Sequence, residues 1–165
     1  MKFVPLGYRF VTFALVIAVF AAASAFAQTA SKRFDVELMV NRGEKSVETD
    51  ADLIINETSF SIKPDKAEFS SQAKEFNYAD IKAADYSFAK KPMLSGGGAI
   101  ATALLVSVFV AVPLLFVKKK KHWLAVRTET DYAIIKLGGH NHRQIVAELQ
   151  THGVAVSELK EEGKK

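Results

Sequence analysis

Three histidines near the C-terminus have the spacing that best fits a metal site. His140 and His142 are separated by one residue, His152 follows on the far side of a predicted helix, and Glu148 is the available carboxylate. Imidazole and carboxylate groups are common ligands of transition metals. The alternative is that these are solvated loop and cap residues beside a basic patch, and we favour it. We therefore predict no metal ion and no other cofactor.

Sequence signatures of common enzyme sites do not occur. The chain has no G-x-S-x-G, no H-E-x-x-H and no phosphate-binding loop. The glycines Gly96, Gly97 and Gly98 lie inside an apolar stretch rather than between a strand and a helix. A Ser-His-Asp arrangement cannot be inferred from composition. We therefore predict that the protein is not an enzyme.

A run of four lysines, Lys118, Lys119, Lys120 and Lys121, precedes Trp123. Lysines next to a membrane contribute about 1 kcal/mol each toward anionic headgroups, and tryptophan prefers the interface. These five residues are therefore predicted to lie at a membrane surface. The alternative is that the lysines only set membrane topology. Nucleic acid is not expected as a partner, because the run is short and the chain carries an export signal.

The first 27 residues are predicted to be a signal peptide. Lys2 and Arg9 precede an uncharged apolar run, and Ala25 and Ala27 are small residues at the positions that a signal peptidase reads. Cleavage would leave Gln28 as the first residue, while the alternative is an uncleaved anchor helix. The protein is therefore expected in the cell envelope, at a bacterial inner membrane or on its periplasmic side. Since the chain has no cysteine, neither disulfides nor a lipid anchor on a cysteine is available.

A second apolar stretch, residues 93–117, is uncharged throughout. As a helix of about 25 residues it would be roughly 38 Å long, enough to cross a hydrocarbon core of about 30 Å. In a single crossing, the lysine run would be cytoplasmic by the positive-inside rule. The small residues at its start, Gly97, Ala99, Ala101 and Ala103, would also permit close helix approach and hence a homo-oligomer.

The flanking residues have the patterns of a mostly β domain. Apolar and polar residues alternate from Phe34 to Val40, the period of a half-buried strand. Further strands are predicted at 51–55, 60–62, 67–70, 76–78, 86–88, 122–127 and 132–137, with a turn at 56–59. A helix capped by Asn141 carries Ile145 and Leu149 and ends at Gly153.

The 48 residues after the apolar segment are too few to form a stable core without disulfides. We therefore expect residues 28–92 and 118–153 to form one α+β, mostly β domain, followed by a charged tail at 154–165. Its core is predicted to be a single buried cluster that contains Leu53, Ile55, Phe60, Ile81, Trp123, Val126, Ile134, Ile145 and Leu149.

Three stretches carry a resemblance to a known fold: 51–55 followed by 60–62, 76–81 before the strand with Tyr86, and 122–126 through the closing helix. Together they resemble the pleckstrin-homology-like (PH-like) superfold, including bacterial PH and GRAM-type modules, over roughly 34–92 and 118–153. The resemblance implies a curved sheet or barrel of six or seven strands with one C-terminal helix. It also implies a module that binds a lipid headgroup or a protein segment.

Two architectures remain open at this point. In one, the PH-like domain is intact and the apolar segment enters and leaves the same side of the membrane. In the other, the segment crosses once and separates two small soluble parts. The matching function classes are a membrane-associated interaction module and a structural subunit of an envelope assembly.

Overall fold

The computed structural model describes residues 31–43, 45–95 and 119–160, all within the compact unit that begins at Ser31. The predicted signal peptide, with Ala25, Ala27 and Gln28, lies outside these residues, as does residue 96 onward of the apolar segment. The described elements are β1 (Lys32–Arg42), β2 (Lys45–Ile55), β3 (Ser59–Pro64), β4 (Lys74–Asn77), β5 (Ala83–Ala89), β6 (Lys121–Arg127), β7 (Tyr132–Leu137), α1 (His142–Thr151) and β8 (Val156–Leu159), with short 3-10 helices at Ala67–Gln72 and Tyr78–Asp80.

The strands form one sheet in the order β4-β3-β2-β1-β7-β6-β5-β8. Neighbours are antiparallel except β8, which runs parallel to β5. The strands before and after the apolar segment are joined where β1 pairs with β7, with Val36 opposite Leu137. The expectation of a mostly β domain with one helix, built from both flanks, is therefore confirmed, although the sheet has eight strands rather than six or seven.

The sheet is strongly curled. Strand β4 is four positions from β7 in the sheet order, which in a flat sheet corresponds to about 19 Å at roughly 4.8 Å per strand. Yet Lys74 Nζ on β4 lies 2.5 Å from Oδ1 of Asp131, the residue before β7. The far edge therefore bends round toward the middle of the sheet, leaving β4 and β8 as its two edges.

The inner face of the curl holds the main core, and α1 packs against it. Ile145 and Leu149, one helical turn apart, are both fully buried there. The inward side chains of the strands alternate with outward polar ones, as the sequence pattern predicts; among the buried members are Val36, Leu38, Leu53, Ile55, Phe60, Ile62, Phe76, Leu124, Val126 and Ile135.

The outer face carries a second, smaller apolar cluster of Trp123, Ala125 and Ile134, with Leu94 packed against it. The prediction of a single cluster containing Trp123 and Ile134 is therefore wrong. Successive side chains of a strand point to opposite faces, so Trp123 cannot share a face with Val126. Of the other predicted core residues, Ile81 is only partly buried, and the rest belong to the inner cluster.

Four local predictions differ from the structure. The segment predicted as a strand at 67–70 is a 3-10 helix, because only Phe69 in it reaches the core. Ser59 is not an exposed turn residue but the buried first residue of β3. Strand β2 begins at Lys45, within a polar stretch, and strand β8 lies inside the predicted charged tail. Strand β8 gains its regularity from pairing with β5, which is distant in the chain, whereas the start of β2 pairs with the end of β1 just before it.

Asn141 occupies the predicted N-cap position of α1, but its side chain makes no cap hydrogen bond. Its Nδ2 instead donates to the backbone oxygen of Asp35, at 2.7 Å, which ties the start of the helix to β1. Gly153 ends the helix as predicted, with a φ of 84°, a conformation that favours glycine.

Strands β5 and β6 form a hairpin whose connection contains the apolar segment. Their seven register pairs run from Ala83 opposite Arg127 to Ala89 opposite Lys121. The chain therefore leaves and re-enters the sheet at adjacent strands. A single membrane crossing would place β5 and β6 on opposite sides and cannot coexist with this pairing. Within the described residues no helix has the length and apolar character to cross a bilayer.

We expect Leu149→Ala to lower the free energy of unfolding by about 2–5 kcal/mol, because it leaves a cavity between helix and sheet. Hydrogen exchange should accelerate in β2 and β3 as well as in α1, since all three share one core. Gln150→Ala, at an exposed position of the same helix, is the control. Protection of β2 and β3 that is unchanged by Leu149→Ala would show two independent halves.

We also expect single cysteines at Ser70 and Thr130 to react with a membrane-impermeant thiol reagent from the same side of the membrane, the periplasmic one. Both positions are exposed, and they lie before and after the apolar segment in a chain without cysteine. Strands of one sheet are about 5 Å apart and cannot be separated by a bilayer. Labelling from opposite sides would contradict the continuous sheet.

Candidate functional site

The residues predicted to lie at a membrane surface are found in two different environments. Lys119 and Lys120 precede β6, Lys121 is its first residue, and all three are exposed, while Lys118 lies outside the described residues. Trp123 is only 3% exposed and belongs to the outer-face cluster. Its Nε1 donates to the backbone oxygen of Ala89 at 3.2 Å, which secures the last residue of β5. Contact of the lysines with a membrane stays a prediction.

Next to the lysines, two histidine rings are stacked on each other. His122 follows Lys121 on β6, and His142 is the first residue of α1. Their ring centroids are 3.8 Å apart with an interplanar angle of 13°. The sequence grouped His142 with His140 and His152 instead, because nothing in it shows that the start of α1 lies beside the start of β6.

Strand β5 adds two aromatic rings to this stack. The Tyr86 hydroxyl lies 2.7 Å from Nδ1 of His122. Phe88 is the register partner of His122, with ring centroids 4.6 Å apart, and is half exposed at 50%. Tyr86 and Phe88 alternate along one face of a strand, a signal visible in the sequence, but their meeting with His122 depends on the register of β5 and β6.

Burial and neighbouring charges set the protonation of this group. The pKa of His122 is lowered by burial, by His142 and by Arg143. Burial and then Glu158 raise the pKa of Tyr86, which overcomes the opposite effect of Arg143. At neutral pH, His122 is therefore uncharged and Tyr86 keeps its proton. A neutral His122 with its proton on Nε2 accepts a hydrogen bond from Tyr86 through Nδ1.

A cavity of about 550 Å³ opens between α1, β5, β6 and β8 beside the stack. This volume is within the range of about 300–1,000 Å³ for small-molecule sites. Its lining combines the four rings with one cation, one carboxylate, one amide and aliphatic groups: Tyr86, Phe88, His122, His142, Arg143, Val146, Ala147, Gln150, Val156 and Glu158. We call it the histidine pocket. Nδ1 of His142 is enclosed and has no hydrogen-bond partner among the described residues.

The other histidines do not join this pocket. His152 stacks on Tyr78, with ring centroids 4.5 Å apart and an interplanar angle of 8°. Burial and Glu148 raise the pKa of Tyr78 to about 12, and its hydroxyl donates to the backbone oxygen of Asn56. In the described ranges, no three metal-ligating side chains come together.

Two ionic groups on the outer face, of which only the first contains a buried carboxylate, were not predicted from the sequence. Asp85, 1% exposed, accepts hydrogen bonds from the backbone N–H and the hydroxyl of Ser95 and lies 3.6 Å from Arg127. Arg127 also donates to the backbone oxygen of Ser95 at 2.6 Å. Ser95 belongs to the start of the apolar segment. These contacts therefore hold the start of that segment against the outer face of β5 and β6.

The second ionic group joins three strands. The Lys136 ammonium pairs with both Glu37 and Glu48. Burial alone would lower the pKa of Lys136, but the hydrogen bonds to the two carboxylates raise it above its usual value. Burial would raise the pKa of Glu48, but the hydrogen bond with Lys136 outweighs burial and the pKa is lowered. These two ion pairs link β7 to β1 and β2.

Comparison with known proteins indicates the fold alone. No protein-family model matches the chain, and no curated protein is significantly similar to it. Among solved structures, the hSac2 domain from human phosphoinositide phosphatase Sac2 is similar, with a TM-score of 0.51 and 10% identity over 93% of this chain and 91% of that one. The C-terminal domain of an unknown protein from Leishmania infantum has a TM-score of 0.43 and 12% identity over 83% of this chain and 96% of that one. The second likeness is too weak to carry an argument.

We expect His122 to make the domain less stable in acid. Its pKa is lowered in the folded state, so the unfolded chain takes up a proton first as the pH falls through about 6.5. Stability from this residue is therefore present at higher pH and is lost on acidification. Denaturant unfolding from about pH 8 to about pH 5 should show this slope, and His122→Gln should flatten it. His140→Gln, at an exposed loop position, is the control, and an unchanged slope in His122→Gln would disprove the assignment.

Proposed function

We propose that this chain is a non-catalytic, PH-like interaction module of the cell envelope that binds anionic lipid headgroups at a membrane surface. One observation supports it above the others: the two flanks of the apolar segment are paired residues of adjacent strands, and exposed lysines adjoin them. The proposal includes export by the predicted signal peptide and insertion of the apolar segment from one side of the bilayer.

The directions of the strands favour one orientation of the sheet. Strand β5 ends and β6 begins at one end of the sheet, which we call the lysine end. The apolar segment therefore leaves and re-enters the sheet at the lysine end. With the segment in the bilayer, this end faces the headgroups.

The side chains near this end suit contact with a negatively charged surface. Lys90, Lys119 and Lys121 are exposed on either side of the apolar segment. Half-exposed Phe88 adds an aromatic ring next to them. Juxtamembrane lysines contribute about 1 kcal/mol each toward anionic lipid, and aromatic rings are favoured at headgroup depth. The combination supports lipid binding over a purely topological role for the lysines.

The PH-like assignment is supported by topology. Strands β1 to β7 form a curled antiparallel sheet in which β1 pairs with β7. A single helix near the C-terminus packs on its inner face. Strand β8 is an addition to this plan at one edge. The structural likeness to the hSac2 domain concerns the fold, and the phosphatase function belongs to that protein.

A binding role is preferred to catalysis because of what surrounds the histidine pair. Among the described residues that line the pocket there is no serine, threonine or cysteine for His122 to activate. Its nearest hydroxyl is that of Tyr86, whose pKa is raised rather than lowered. The alternative function, a structural subunit that oligomerises through the Gly/Ala face, concerns residues outside the described ranges and stays a prediction.

The test replaces the lysines and measures lipid selectivity of the full chain. We expect Lys119→Gln, Lys120→Gln and Lys121→Gln together to lower retention of anionic over zwitterionic lipid by up to roughly a hundredfold at low salt, from about 1 kcal/mol per lysine. Native mass spectrometry of protein released from mixed-lipid nanodiscs gives the ratio.

The matched control changes the same charge at the opposite end of the sheet. Arg42, Lys66 and Lys82 are all exposed there, and their triple glutamine variant should retain the original selectivity. Equal losses in both triple variants would show that net charge alone attracts the lipid. No loss in either would contradict lipid binding at the lysine end.

A further inference from the structure

We infer that the histidine pocket is a site for a phosphate diester anion, and that binding of the anion is coupled to proton uptake by the stacked His122–His142 pair. The inference deepens the proposed function and rests on it in placing the pocket at a membrane surface. The pocket is separate from the lysine run, which does not line it. The pocket offers a cation, Arg143, two stacked rings, one carboxylate, Glu158, and an apolar wall.

Arg143 is the cation available to a ligand. It lines the pocket beside both histidines, is exposed, and has no salt bridge with any residue in the described part of the chain. Other buried or half-buried cations of the domain already have carboxylate partners, as Lys136 and Arg127 do. A guanidinium with no carboxylate partner suits phosphate, to which it donates paired hydrogen bonds.

The stacked rings explain why an anion and protons would bind together. With centroids 3.8 Å apart, two protonated imidazoles repel each other, and Arg143 adds to that repulsion. A phosphate between or beside these groups would offset the repulsion and favour the charged rings. His142 Nδ1 is without a partner among the described residues, so a protonated ring has a donor that a phosphate oxygen would satisfy.

Each element around the pair contributes a group that affects this balance. Strand β5 supplies Tyr86 as a hydrogen-bond partner and Phe88 as a ring neighbour, and α1 supplies Arg143. Strand β8 supplies Glu158, the one carboxylate among the described lining residues. Glu158 opposes an anion, so its removal provides a test with the opposite sign.

The rest of the lining suits an amphiphile rather than a bare ion. Phe88, Val146 and Val156 form an apolar part of the wall, and the cavity of about 550 Å³ exceeds what one phosphate fills. A phospholipid headgroup and a soluble phosphate diester present the same anion, so the probes must separate the two sources. By reciprocity of linked equilibria, an anion that favours protonation binds more tightly as the pH falls.

The experiment follows the ring signals of His122 and His142 by NMR in the full chain held in micelles of an uncharged, phosphate-free detergent. The soluble probe is dimethyl phosphate, which keeps one negative charge over the pH range. The lipid probe is phosphatidylglycerol added to the micelles. From about pH 8 to about pH 5.5, on either side of the usual histidine pKa of about 6.5, we expect affinity for the diester to rise about tenfold or more.

Three variants make the result specific. Arg143→Gln should lower the affinity about tenfold without unfolding the protein, because the side chain is exposed. Glu158→Gln should raise the affinity severalfold. Lys66→Gln, at the opposite end, should have no effect. The lysine triple variant should keep its response to dimethyl phosphate, so failure of the proposed function and failure of this site are distinguishable.

Each outcome supports or overturns a phosphate diester site in the histidine pocket. A response to phosphatidylglycerol alone supports a lipid source, and a response to both probes supports a site open to soluble diesters as well. If neither probe moves the histidine titrations, the inference is wrong. An affinity that is independent of pH, or one that is unchanged in Arg143→Gln, also overturns it.

Discussion

The register of β5 against β6 is the constraint on which the rest of the structure depends. These neighbours are joined by a connection of 31 residues, from 90 to 120. Bringing two strands together across a connection of that length costs about 3 kcal/mol of chain entropy from its length dependence alone. Seven register pairs and the buried side chains on both faces oppose this cost. Without that pairing, β5 and β8 would have no neighbour that joins them to the rest of the sheet.

The outer face shows how the same hairpin is secured where the connection begins. Asp85 and Arg127 bind Ser95 from β5 and β6, and Trp123 binds the carbonyl of Ala89. Breaking a buried ionic group by removing one partner leaves an uncompensated charge, which costs several kcal/mol. The exit of the chain from β5 is therefore held close to the sheet before the apolar segment begins.

On the inner face, the same register brings chemistry together. Phe88 faces His122 because Ala89 faces Lys121, and α1 then places His142 over the His122 ring. Lysines, aromatic rings and imidazoles are thus grouped at one end of one hairpin. The pocket combines one cation, Arg143, and one carboxylate, Glu158, with two stacked imidazoles, next to the proposed membrane surface.

The sequence by itself determined the class of fold and most of its elements. Period-2 alternation identified β1, apolar runs around a turn identified β6 and β7, and Ile145 and Leu149 with Gly153 identified α1 and its end. The size argument favoured joining the two flanks, because so short a C-terminal part cannot bury a core alone, but it left a single membrane crossing open. These are local or additive properties, so no coordinates were needed for them.

Tertiary structure alone decided the remainder. Strand β8 lies in a polar stretch whose regularity comes from pairing with β5, which is distant in the chain. The separation of Trp123 from the inner core follows from strand parity, but its partners Ile134 and Leu94 follow from register. The stack of His122, His142 and Tyr86 joins residues from β6, α1 and β5. Sequence spacing cannot reveal such a site, because the distances that matter are across the sheet rather than along the chain.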